Sequence, residues 1–275
     1  MSTPIDPDSF NAFEAAGWER QAAGYDRFFG GITSRLIDPL LDAAGVASGR
    51  RALDVATGPG YVAARAAERG AEVVGVDVAA AMVALASERQ PGLDFRRADA
   101  HDLPFADASF DAVVANFLVL HLGRPEAAVA EFARVLAPGG RLALTAWDLP
   151  TEARFLGVFL DAVAAVGASP PEEIPSGPDF FRFSREPEFA ALLRDVGLED
   201  VSVRTIAFSH TVSSPDELWE GLLGGTVRTS ALIQGQSQED QRRIRAAFDQ
   251  LVEDYRQGTA LELPVSVKLA AGSSA

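Results

Sequence analysis

Arg51-Ala52-Leu53-Asp54-Val55-Ala56-Thr57-Gly58-Pro59-Gly60 reads as a buried strand that enters a tight glycine turn. Residues 61–69, Tyr-Val-Ala-Ala-Arg-Ala-Ala-Glu-Arg, continue it as a helix. Gly58, Gly60 and Ala63 fit G-x-G-x-x-A, which alone would suggest a dinucleotide site. Asp54 argues against that reading, because it lies four residues before Gly58, near the carboxyl end of the strand. A carboxylate there repels a pyrophosphate and favours a ligand with positive charge, an amino group or a sulfonium. The competing reading of Asp54 is an acid that caps a loop.

A second acid follows. Residues 72–77, Glu-Val-Val-Gly-Val-Asp, read as a strand ending in Asp77, placed to accept both hydroxyls of a ribose. Asp77 could instead cap the helix expected over 79–89, but Val78 and the alanines after it suit a wall against an adenine. A third strand over 93–97 leads to Asp99, whose carboxylate could accept from an adenine amino group or close an Asx-turn. Residues 110–116 make a fourth strand. Residues 134–146 make a helix end, a Pro-Gly-Gly turn and a fifth strand. Strands alternating with helices give a doubly wound, mostly parallel sheet covered on both faces.

In this order and spacing the segments resemble the class I S-adenosylmethionine (SAM)-dependent methyltransferases, nearest to the ubiquinone/menaquinone-type small-molecule branch. The resemblance covers about residues 18–147. Thr57 and Pro59 depart from the residues common at those positions, and neither removes a needed glycine. The resemblance implies a seven-stranded sheet and SAM as cofactor, with S-adenosylhomocysteine (SAH) as product. It implies cofactor contacts from Tyr25, Thr33, Asp54, Ala56, Gly58, Gly60, Asp77, Val78, Met82, Asp99, Ala100, Asn116 and Phe117. His121, in the loop after the fourth strand, is the candidate general base, with a hydrogen-bonded structural histidine as its competitor.

Composition narrows the partners. The net charge of −15 and pI near 4.6 disfavour nucleic acid and anionic membrane surfaces. With no cysteine there is no disulfide framework or thiolate site, and no metal site is expected. The absence fits the cytosol, as does an N-terminus without the basic and apolar parts of a signal peptide.

The expected organisation is N-terminal helices over 1–45, a SAM-binding core over 46–150, and remaining strands with an inserted helical cap over 151–275. The first dozen residues read as mobile. Helices are expected near 13–29, carrying Phe13, Trp18, Ala22, Tyr25 and Phe29, and over 32–44. Later helices are expected over 151–166, near 215–223 and over 238–257. Late strands are expected over 201–208 and 261–270. The long separation of those last two strands places a cap over the site. Phe180, Phe181, Phe183 and Phe189 cluster before it, and they and Trp219 read as core before pocket. His101 reads as exposed near the adenine, and His210 as an outside candidate for touching substrate.

The function expected is methyl transfer to a small, mostly apolar molecule at oxygen or carbon, in a biosynthetic pathway, by a cytoplasmic monomer or homodimer. Two rivals stand beside it: a protein of the same fold that binds SAM without transferring methyl, and an NAD-dependent oxidoreductase, against which Asp54 and Asp99 argue.

Overall fold

A computed structural model describes residues 6–275. It opens on a long helix, α1 (Pro7–Thr33), which extends the helix expected near 13–29 at both ends, so that residues 7–12, expected to be mobile, belong to it. The Asp6 carboxylate caps it, accepting from the backbone N–H of Asp8 at 3.1 Å and of Ser9 at 3.3 Å. The remainder of the expected mobile stretch, residues 1–5, lies outside the described residues. A 3-10 turn leads into α2 (Ile37–Ala43).

The α/β core runs β1 (Arg51–Val55), α3 (Tyr61–Glu68), β2 (Glu72–Asp77), α4 (Ala80–Arg89), β3 (Asp94–Arg97), β4 (Phe110–Ala115), α5 (Pro125–Val135), β5 (Leu136–Trp147). Then follow α6 (Arg154–Val166), α7 (Glu186–Arg194), β6 (Glu199–Val212), α8 (Pro215–Gly225), α9 (Arg228–Gln234), α10 (Gln238–Leu251), β7 (Arg256–Gln257) and β8 (Ala260–Ser273).

Seven strands line up as β3-β2-β1-β4-β5-β8-β6, and the two-residue β7 pairs with β8. The first five are parallel; β8 runs antiparallel to both β5 and β6. The order reverses between β1 and β4. A crevice therefore opens at their carboxyl ends, where ligands enter open α/β sheets. One apolar core lies under α5 and α6 and another under α2 and α3, so β1 is buried on both faces, as its unbroken apolar run requires.

The edge of this architecture is individual to the chain. α8 lies along α1 at backbone distance. A Cβ added at Gly24 would stand 1.7 Å from the carbonyl oxygen of Gly224, and one at Gly17 would stand 2.3 Å from Val227. Gly31, in the same helix, has nothing within 4 Å of its missing Cβ. Alanine favours a helix over glycine by about 1 kcal/mol, but forcing a methyl into backbone costs about 1–3 kcal/mol or more. Gly24→Ala should therefore lower the melting temperature by about 5 °C, while Gly31→Ala raises it slightly. Equal shifts of the same sign in calorimetry would refute this account of the α1–α8 contact.

The buried face of α1 is not quite the one expected. Phe10, rather than Phe13, is fully buried, and the stripe reads Phe10, Glu14, Trp18, Ala22, Tyr25, Phe29. Farther on, α9 is an element the sequence reading missed, and α10 packs on α6, away from the crevice. No helix among the described residues is long and apolar enough to cross a membrane.

Candidate active site

The turn after β1 is built by hydrogen bonds to two acids. Asp54 sits inside β1 with its side chain beneath the turn, where Oδ2 accepts from Thr57 Oγ1 at 2.7 Å and from Ala63 N at 3.1 Å. That explains a threonine at position 57: its hydroxyl ties the turn to the strand. Asp77 completes the cradle from the end of β2, accepting from Gly58 N at 2.9 Å and from Ala79 N at 3.0 Å. Gly58 and Gly60 hold φ of +54° and +83°, a left-handed backbone that glycine adopts freely.

Two non-glycine residues share that conformation at the carboxyl ends of neighbouring strands: Ala56 (φ +56°) after β1 and Phe117 (φ +60°) after β4. Such geometry persists only where surroundings enforce it. Around Phe117 they do. Thr145 Oγ1 accepts from Phe117 N at 2.9 Å and donates to Asn116 Oδ1 at 2.7 Å, and Asn116 Nδ2 donates to Thr33 O at 3.3 Å. The Phe117 ring stacks on Trp147 with centroids 3.8 Å apart.

These ends open into a cavity of about 710 Å³. That lies in the upper part of the range for small-molecule sites, ~300–1,000 Å³. Of the residues singled out from sequence, Tyr25, Thr33, Ala56, Gly58, Asp77, Val78, Met82, Asp99, Ala100, Asn116, Phe117 and His121 all line it. Asp54 and Gly60 do not. Asp54 supports the turn from behind, and Gly60 caps the start of α3 against Phe95 and Ala86, where an added Cβ would stand only 3.0 Å from the Phe95 ring.

The other readings divide. Asp99 does close an Asx-turn, accepting from His101 N at 2.9 Å, while it also lines the cavity. His101 is largely buried rather than exposed, with Nδ1 2.8 Å from Asp99 and Nε2 without a partner. Phe180 and Phe181 line the cavity, whereas Phe183 and Phe189 are core. Trp219 stacks on Phe159, and His210 faces Phe28; neither reaches the cavity.

Over the crevice stand α1, the start of α6, the Pro170–Phe181 loop and the start of α9. Their inner surface is mostly carbon: Trp18, Leu156, Leu160, Ile174, Phe180, Leu232. Its main polar feature is a charged chain. Arg228 Nε donates to Glu14 Oε1 at 2.8 Å, and Glu14 Oε2 lies 3.0 Å from His121 Nδ1. Arg228 also donates to the carbonyls of Leu120 and Pro178, and its guanidinium lies 4.8 Å from the ring centres of both Phe10 and Phe180. Sequence reasoning missed Glu14 and Arg228. The available signal was an acid on the apolar stripe of α1, four residues after Phe10 and four before Trp18.

Burial sets the electrostatics. It pushes the Asp54 carboxyl up to about 7 and the Asp77 carboxyl up to about 6, against an ordinary value near 4. It pushes the Tyr25 hydroxyl up to about 12, so Tyr25 stays a neutral donor. The consequence for stability has a definite sign. Between about pH 4 and pH 7 the unfolded chain has released the Asp54 proton that the fold retains, so this group's contribution to stability declines as pH rises through that window. Asp54→Asn does not titrate. Its melting temperature relative to wild type should therefore be higher, by a few degrees, at pH 8 than at pH 5. A difference that is flat or falling with pH would show that the buried carboxyl is ionised throughout.

Comparison with known proteins agrees with the geometry. A family model described as a methyltransferase domain matches residues 53–144. The chain is 36% identical over 190 residues to the demethylmenaquinone methyltransferase of Renibacterium salmoninarum, covering 64% of this chain and 78% of the relative. It is 37% identical over 174 residues to the enzyme of the same name from Beutenbergia cavernae, covering 60% and 72%. The YcgJ protein of Bacillus subtilis has a similar fold, with TM-score 0.57 and 20% identity over 87% of this chain and 98% of that one.

Proposed function

The chain belongs to the class I SAM-dependent methyltransferases, and from that premise we propose that its acceptor is a small, neutral, mostly apolar molecule carrying an acidic hydroxyl. Methylation falls on that oxygen or on a ring carbon the hydroxyl activates. The observation that carries this reading is the cavity itself. It is larger than a nucleoside requires, walled by aromatic and aliphatic side chains, and its deep cation, Arg228, is already matched by Glu14. An anionic acceptor would find no free partner at that point. The relatives named above are called demethylmenaquinone methyltransferases, and such an acceptor is of the same apolar kind.

The residues present suit SAM. Asp54 and Asp77 have hydroxyl and backbone N–H partners and no cationic one, and Asp54 Oδ1 is buried without any. Of the two, Asp77 is the one that lines the cavity, and a carboxylate there without a counter-ion suits a ligand carrying positive charge and repels a pyrophosphate. We assign the ribose hydroxyls to Asp77, the adenine to Val78, Met82, Asp99 and Ala100, and the amino-acid end to Thr33, Ala56, Gly58 and Asn116, with Tyr25 and Phe117 as walls. Bound there, SAM would supply an electrophilic methyl carried on sulfur, and SAH would be left after its transfer to the acceptor. The chain's own work is to exclude water, aim the acceptor and take its proton. We assign that proton to His121, which lines the cavity beside the aromatic wall of Trp18 and Phe180.

The test is incubation with methyl-labelled SAM and a panel of acceptors. Label should enter neutral phenols and hydroquinones in preference to amines, phosphorylated compounds and peptides. Transfer mainly to the polar or macromolecular members would overturn the assignment.

A further inference from the structure

We propose that Glu14 is a positioning residue that makes His121 a proton acceptor, and that Arg228 is what allows a carboxylate to stand beside it. The inference rests on the reading of His121 given above and adds to it a residue outside the sheet.

The geometry fixes which nitrogen is basic. Glu14 is buried, and its Oε1 forms an ion pair with Arg228 Nε at 2.8 Å. A carboxylate only accepts hydrogen bonds. Its Oε2, 3.0 Å from His121 Nδ1, therefore receives the Nδ1 proton and leaves the lone pair on Nε2. The ring cannot easily turn. Trp18 packs against it at right angles with ring centroids 5.0 Å apart, and Phe180 with centroids 5.7 Å apart. Arg228 also holds the carbonyl of Leu120, the residue just before His121, so one guanidinium sets both the carboxylate and the backbone that carries the imidazole.

The proton balance follows. The acceptor O–H gives its proton to Nε2. Its electron pair goes to the new bond, and the imidazolium formed has the Glu14 carboxylate against its other nitrogen. The charged groups around the ring are Glu14 from α1 and Arg228 from α9, with Arg124 in the histidine's own loop, itself paired with Asp8. Of these, Glu14 is the anion that stabilises the imidazolium. A Glu14 that served only as a counter-ion for Arg228 would have the same distance to Arg228 but no influence on the acceptor's proton.

The two roles separate in kinetics. Glu14→Gln should lower kcat by about tenfold to a hundredfold and leave the KM for SAM unchanged. With an acceptor acidic enough to be ionised already at the assay pH, most of that loss should disappear. Because the single variant leaves Arg228 unpaired, Glu14→Gln/Arg228→Gln, which removes both charges, is measured beside it and should show the same dependence on acceptor acidity. A loss of the same size for ionised and un-ionised acceptors, or a wild-type kcat in either variant, overturns the proposal. A wild-type kcat in His121→Ala would instead remove the reading of His121 on which it rests.

Discussion

His121→Ala should lower kcat by about 10²–10⁴-fold, the usual range for removing a general base, while SAH binds as tightly as before. The split follows from position. His121 lies in the loop after β4, touching Trp18, Glu14 and Phe180, whereas the groups assigned to the cofactor lie mainly at the carboxyl ends of β1 to β4, with Met82 of α4 and Tyr25 and Thr33 of α1. Removing the imidazole leaves those strand ends, and the turn hydrogen bonds that form them, untouched. Steady-state kinetics with calorimetric titration of SAH decides it. Unchanged kcat would mean that the acceptor needs no proton removed. Loss of SAH binding would mean that His121 belongs to the cofactor wall.

Arg228→Ala should have the largest effect on stability, about 3–5 kcal/mol, or roughly a 10 °C fall in melting temperature. The cost comes from what is left behind rather than from what is removed. Glu14 would become a buried charge without its partner, and the carbonyl of Leu120 would lose its donor. Phe10 and Phe180 would also lose the flat cation between them. Arg228→Lys keeps the charge but not the fork, and cannot reach Glu14, Leu120 and Pro178 together, so it should recover only part of the loss. A melting temperature within 2 °C of wild type for Arg228→Ala would show the roof to be held by its apolar contacts alone.

How much of this was legible beforehand depends on the range of the interactions. The β1 turn, the acids at 54, 77 and 99, and the alternation of strands and helices are encoded within short windows, and the sheet follows them. Asp54 was read as a ligand contact because its place in the sequence does not say which way a strand residue points. The structure turns it beneath the turn, onto Thr57 and Ala63. α9 was missed because Arg228–Gln234 is short and carries Thr229 and Ser230 in its first turn, residues that favour helix only weakly. The chain Arg228–Glu14–His121 was out of reach for a different reason. Its members are separated by 214 and 107 positions, so only the completed fold brings them together. An acid on the apolar stripe of α1 marked the place but not the partners.

The central claim, that cofactor and acceptor share one cavity with His121 on the acceptor side, is tested most directly by a crystal structure with SAH. The account predicts the ribose hydroxyls on the Asp77 carboxylate, the adenine beside Val78 and Met82, and the sulfur facing the open space bounded by Trp18, His121 and Phe180. A sulfur turned away from His121, or a nucleoside bound without contact to Asp77, would contradict it.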